Sequence, residues 1–191
     1  IQHHLKLEHG QNNKLRTIVL FYFYWYNYCG DFMYKKILGL GLFLTIIDQI
    51  VKYLVVVNME LTESIKVISN FFYITYIKNS GAAFGIFQDT SVILIILSFI
   101  AIIGLVKYVI EDKNIKKIEA ISYSLVLGGI LGNLIDRITN GYVIDYLDFY
   151  IFGYDYPVFN LADTFIVIGF VIILINLFIK GETHEVNKRR G

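Results

Sequence analysis

The run Ser91-Val-Ile-Leu-Ile-Ile-Leu-Ser98-Phe-Ile-Ala-Ile-Ile-Gly104-Leu-Val-Lys107-Tyr-Val-Ile110 carries a single charge, Lys107. A helix needs about 20 apolar residues to cross the hydrocarbon core of a bilayer, and this run is that long. Three more segments match it: Ile37 to Val57, broken by Asp48 and Lys52; Ala120 to Ile138, ending in Asp136 and Arg137; and Leu161 to Ile179, with Asp163 near its start. Composition agrees: 56% of the 191 residues are hydrophobic and 17% charged, against roughly 25% charged in soluble domains. The expected fold is an all-α membrane protein with a small β part, built on four transmembrane helices.

Lysine and arginine set the expected orientation. Lys35 and Lys36 precede the first span, Lys107, Lys113, Lys116 and Lys117 surround the second connection, and Lys180, Lys188, Arg189 and Arg190 follow the fourth span. The other two connections hold only Lys66 and Lys78, with Arg137 at the rim. Both ends and the middle connection are therefore expected in the cytoplasm, and two loops outside. In the first outer loop, Asn58 to Thr90, Ile65, Val67, Phe71, Tyr73 and Ile77 suggest short strands with some alternation. Asn79-Ser-Gly81 follows, with small residues that permit close backbone approach. The second outer loop is rich in Tyr, Phe and Asp, and aromatics of this kind favour the headgroup region.

Residues 1–32 are expected to be an extension outside the functional domain. Their apolar part, 17–29, would make a helix near 20 Å long at about 1.5 Å per residue, too short to span. Met33-Tyr-Lys35-Lys36 reads as the start of a membrane domain over 33–180, with 181–191 as a cytoplasmic tail. The single cysteine, Cys29, allows no internal disulfide or thiolate cluster. The four histidines, His3, His4, His9 and His184, lie near the ends, so no histidine metal site or Ser-His pair is expected within the spans. No metal, cofactor or nucleic-acid partner is implied.

Ionisable residues at a bilayer edge are costly and mark function by default. The predicted topology brings three to the same outer depth: Asp136 ends the third span, Asp163 begins the fourth, and Asp145 lies between. Two carboxylates sharing a site push their pKa values apart, which suits acid–base hydrolysis. Asp145 and Asp163 are the stronger pair. Asp163 lies near a helix N-terminus, where the dipole favours negative charge, and Asn160 is placed to cap that helix. Asp136 is expected in a helix-end network with Asn133 and Arg137. Gly128, Gly129 and Gly132 would let another helix pack closely. Asp48 and Lys52, spaced i, i+4, can pair on one helix face. Two other functions are compatible with parts of this pattern. One is a proton- or ion-coupled transporter with Asp48, Lys52 and Asp136 as its relay; the other is a serine peptidase using Ser80 and Lys78. The first needs an ionisable path at mid-membrane, whereas most of the acids cluster on the outer side; the second leaves the outer aspartates without a task.

Five motifs occur in order: Asp48-Gln-x-x-Lys52, Asn79-x-Gly81-Ala-Ala-Phe84, Gly128-Gly-x-x-Gly132-Asn133-x-x-Asp136-Arg137, Val143-x-Asp145-Tyr146 and Phe159-Asn160-x-Ala162-Asp163. Together, from about Met33 to Ile179, they resemble lipoprotein signal peptidase, the bacterial signal peptidase II family. Residues 1–32 have no counterpart there, and the usual Val-x-Asp-Phe reads Val-Ile-Asp-Tyr. The resemblance implies a four-helix membrane bundle with a small extracytoplasmic sheet and a short outer helix. It implies an aspartic endopeptidase of the bacterial inner or cytoplasmic membrane, with its active site at the extracytoplasmic face. Its substrates would be diacylglyceryl-modified prolipoproteins, cut just before the lipidated cysteine, and globomycin would be an inhibitor. Asp145 and Asp163 would be catalytic. Asp48, Lys52, Asn79, Gly81, Asn133, Asp136, Arg137, Asn160 and Ala162 would bind substrate or support the pair. Membrane lipid is a further expected contact, and nothing in the sequence requires more than a monomer.

Overall fold

The structure is a computed structural model that describes residues 31–81, 91–112 and 114–190, with side chains for those between 33 and 179. The expected extension 1–32 lies almost wholly outside the described residues, as do His3, His4, His9, Cys29 and the Ala82–Phe84 part of the second motif. No short outer helix occurs among the described residues.

The order of elements is α1 (Asp31–Asn58), β1 (Ser64–Ile68), β2 (Phe72–Asn79), α2 (Ser91–Glu111), α3 (Lys117–Asn140), β3 (Val143–Ile151), β4 (Tyr154–Asp155) and α4 (Leu161–Arg190). Four stretches are long and apolar enough to cross a membrane: Met33–Asn58, Ser91–Glu111, Lys117–Asn140 and Leu161–Ile179. Each overlaps its predicted span. Helix α4 continues through the segment expected as a tail, to Arg190.

Helix α3 is the centre of the bundle. It packs against α1, α2 and α4 and is the most buried of the four. Its glycines make this possible. A Cβ on Gly128 would sit 2.8 Å from the Leu44 Cβ and 2.9 Å from the Gly41 carbonyl oxygen of α1. One on Gly129 would run into the Ala162 carbonyl of α4, and one on Gly132 into the Asp48 carboxylate. Thr45 of α1 reinforces this seam by donating to the Gly128 carbonyl at 3.1 Å. The α3 helix ends on Gly141, whose φ of 82° closes the last turn in a left-handed cap.

The four strands form one antiparallel sheet in the order β1-β2-β3-β4. The first outer loop supplies β1 and β2, as its alternation predicts. Strand β3, from the second outer connection, pairs with β2 so that Ile77 faces Asp145 and Asn79 faces Val143. That pairing was not anticipated, because the Tyr-, Phe- and Asp-rich segment reads as an interfacial loop. The two central strands, β2 and β3, rest on the end of α1 through a core of Val55, Met59, Tyr76, Ile144 and Tyr146. Register and core together carry Asp145 back over the helix ends.

Candidate active site

Asp145 sits on β3, one residue beyond Ile144, which is buried in that core, and is 2% exposed. Asp163 lies in the first turn of α4. Asn160 bridges them. Its side-chain N–H donates to Asp145 Oδ1 at 2.7 Å, while its Oδ1 accepts the Asp163 backbone N–H at 2.9 Å. Its own backbone N–H donates to Asp163 Oδ2 at 3.3 Å. Asn160 is thus the expected N-cap, with Asp163 completing a reciprocal cap.

Two more amides approach the carboxylates. Asn79, at the end of β2, donates to Asp145 Oδ2 at 2.8 Å, and its oxygen accepts the Gly81 N–H at 3.0 Å. Asn133 of α3 donates to Asp163 Oδ1 at 2.7 Å. Burial and the neighbouring Asp163 charge push the Asp145 carboxyl up from its usual range to about 7, although the Asn79 and Asn160 N–H groups and the Lys52 charge pull the other way. The two carboxylates line a cavity of about 390 Å³ with Asn79, Gly81, Asn133 and Arg137, against an apolar wall that includes Phe159, Ile166 and Val167. Arg137 donates to the Gly81 carbonyl oxygen at 3.2 Å and, more weakly, to that of Asn133 at 3.5 Å. Its Nε–H has no partner among the described residues.

Behind this polar face lies a buried charge cluster. Lys52 Nζ pairs with Asp48 at 2.8 Å and with Asp136 at 2.9 Å, and all three side chains are at most 2% exposed. Burying charge is tolerable only when the remaining lone pairs are satisfied. Here Asp48 Oδ1 accepts the Ala162 N–H of α4 at 2.9 Å. Asp136 accepts the Ile144 N–H of β3 at 3.1 Å and the Gln49 amide at 2.9 Å. One cluster therefore ties α1, α3, α4 and β3 together.

This corrects one expectation. Asp136 does not join a network with Arg137. Consecutive helical residues point about 100° apart, so Asp136 turns inward to Lys52 while Arg137 turns to the cavity. The Asp48–Lys52 pair forms as its spacing predicts. Every other residue expected to form or support the carboxylate pair reaches either the cavity or the cluster behind it. Ala162 does so through its backbone N–H, and Gly81 through both its N–H and its carbonyl. Lys78 instead lies 4.8 Å over the Tyr142 ring, and neither it nor Ser80 is among the described residues that line the cavity. Two contributors were missed. Gln49 bridges Asp136 and the Gly132 carbonyl, and its place beside Asp48 in the motif was the available signal. The Tyr146 hydroxyl accepts the Leu161 N–H at 3.2 Å, a helix-terminal donor that a phenylalanine would leave open.

A family model described as signal peptidase (SPase) II matches residues 40–179. The chain belongs to the signal peptidase II family. It is 40% identical over 138 residues to the lipoprotein signal peptidase of Staphylococcus aureus (strain JH9), covering 72% of this chain and 85% of that protein. Two solved structures, each described as a bacterial membrane enzyme obtained by the in meso method, resemble it. The one at 2.3 Å resolution gives a TM-score of 0.72 at 37% identity, over 77% of this chain and 90% of the other. The one at 1.9 Å gives 0.67 at 38% identity, over 74% and 91%. Signal peptidase II membership makes this protein a protease of lipoprotein processing and a multi-pass membrane protein, and it removes the transporter alternative.

Proposed function

We propose that this signal peptidase II is an aspartic endopeptidase in which Asp145 and Asp163 are the catalytic pair. The observation that carries this is the bridging of both carboxylates by Asn160 at the wall of a cavity whose other side is apolar. A substrate with a hydrophobic signal segment fits there, with its scissile peptide beside the carboxylates and its apolar part against α4 and lipid. The substrate class is the diacylglyceryl-modified prolipoprotein, cleaved before the lipidated cysteine. The membrane is the bacterial cytoplasmic membrane. The lysine distribution supports cytoplasmic ends and an extracytoplasmic sheet and site. The functional domain is 33–180, and a monomer suffices because the residues named all come from one chain.

The pair shares one proton. The ionised carboxylate takes a proton from water as the water oxygen bonds to the carbonyl carbon. The protonated carboxyl gives its proton to the carbonyl oxygen. In the resulting tetrahedral diol, the first aspartate protonates the amide nitrogen and the second removes a hydroxyl proton. The C–N bond then breaks, releasing acid and amine and restoring the starting proton count. Because the proton belongs to the pair, the two roles can exchange. Arg137 lines the cavity, where its guanidinium would bind a substrate carbonyl.

Purified protein should cleave a diacylglyceryl-modified prolipoprotein, and globomycin should block it. Asp145→Asn and Asp163→Asn, each folded by thermal melt, should lower kcat by about 10²–10⁴-fold. Asp136→Asn, behind the cavity, should retain more activity than either. Full activity in a folded Asp145→Asn enzyme would remove Asp145 from the pair.

A further inference from the structure

Three amides aim an N–H at the two cavity carboxylates, and each can do so in only one orientation. An amide turned over would present its oxygen to a carboxylate. What prevents this is a donor on the amide oxygen. For Asn79 that donor is the Gly81 N–H, and for Asn160 it is the Asp163 N–H. Both are local backbone groups. Asn133 differs: its Oδ1 accepts from Lys52 Nζ at 3.0 Å, from a helix far away in sequence, and from Asn160 Nδ2 at 3.1 Å. The ammonium has three donors and no acceptor. All three are used here, on Asp48, Asp136 and Asn133. An NH₂ group cannot replace the Asn133 oxygen beside it without setting donor against donor. Lys52 and Asn133 are both buried, at 1% and 6% exposed, so no bulk water competes for the contact.

We propose that Lys52 is a positioning residue, whose ammonium locks the Asn133 amide in the orientation that aims its N–H at Asp163. This rests on Asp163 being one of the catalytic pair. Pairing with Asp48 and Asp136 takes only two of the three ammonium protons. The third is spent on the amide that faces the site. The helix α1 thereby acts on the reaction although none of its described side chains lines the cavity.

A double-mutant cycle separates this role from charge balance. Lys52→Met, Asn133→Ala and the double variant would be assayed on a diacylglyceryl-modified prolipoprotein, with melts in parallel. Lys52→Met should lower kcat roughly 10- to 100-fold, the worth of one hydrogen bond to a charged group, with KM within about twofold. In the Asn133→Ala background the same change should cost less than about threefold in kcat, because there is no amide left to orient. A second variant, Lys52→Met with Asp48→Asn, keeps the cluster at one negative charge and should show the same kcat loss. Wild-type kcat in a folded Lys52→Met enzyme, a fully additive cycle, or a defect confined to KM would overturn the proposal. Failure of both Lys52 variants to accumulate as folded protein would also overturn it, since Lys52 would then be structural. Inactive wild type, or full activity in Asp163→Asn, would instead overturn the assignment of the catalytic pair.

Discussion

The buried carboxylates are held by amides rather than by cations on the cavity side. Asn79, Asn133 and Asn160 present N–H groups that stabilise a carboxylate without neutralising it. The pair can therefore keep one charge and one proton. Burial and the Asp163 charge hold the Asp145 carboxyl at about 7, up from the usual carboxylate range. On the proposed mechanism, below that value the pair retains its shared proton, and above it both carboxylates ionise and no acid remains for the carbonyl oxygen. The pH profile of kcat/KM should therefore fall on the alkaline side from near pH 7. The same limb should be missing from the residual activity of Asp145→Asn. An alkaline limb above pH 9 in wild type would show that Asp145 does not govern it.

At the scale of the elements, the spacing between helices sets where the site residues meet. Helix α4 lies close enough to α3 that its first turn puts Ala162 against Gly129 and Gly132. That contact delivers the Ala162 N–H to Asp48 and Asp163 to Asn133. Gly129→Ala would push against the Ala162 backbone, which cannot rotate away. It should lower stability by about 1–3 kcal/mol, as overpacking does, and lower kcat through displacement of Asp163. Gly39→Ala, where an added Cβ meets nothing within 4 Å, should leave the melting temperature and kcat unchanged. Equal melts for the two variants in detergent would mean that α3 and α4 do not depend on this contact.

For the whole molecule, the sheet and the cavity share one end of the bundle, and the connection from α2 to α3 lies at the other. On the orientation proposed from the charge bias, the sheet lies outside the cell. In a background with Cys29→Ser, a cysteine at the fully exposed Phe152, at the turn between β3 and β4, should react in intact cells with a membrane-impermeant thiol reagent. A cysteine at Asn114, in the connection from α2 to α3, should react only after permeabilisation. The reverse pattern would invert the topology and move the cavity to the cytoplasmic side.

The four spans were legible in the sequence because hydrocarbon thickness dictates helix length, a rule that needs no partner. The Asp48–Lys52 pair was legible because helical spacing is local, as was the Asn160 cap of α4. The ordered motifs marked the remaining site residues without saying how they touch. Only tertiary structure decided that. It paired β3 with β2 to return Asp145 to the helix ends, sent Asp136 to Lys52 rather than to Arg137, and set the Tyr146 hydroxyl on the Leu161 N–H. These are choices among donors and acceptors distant in the chain, settled by which groups remain unsatisfied when the bundle and sheet close on one another.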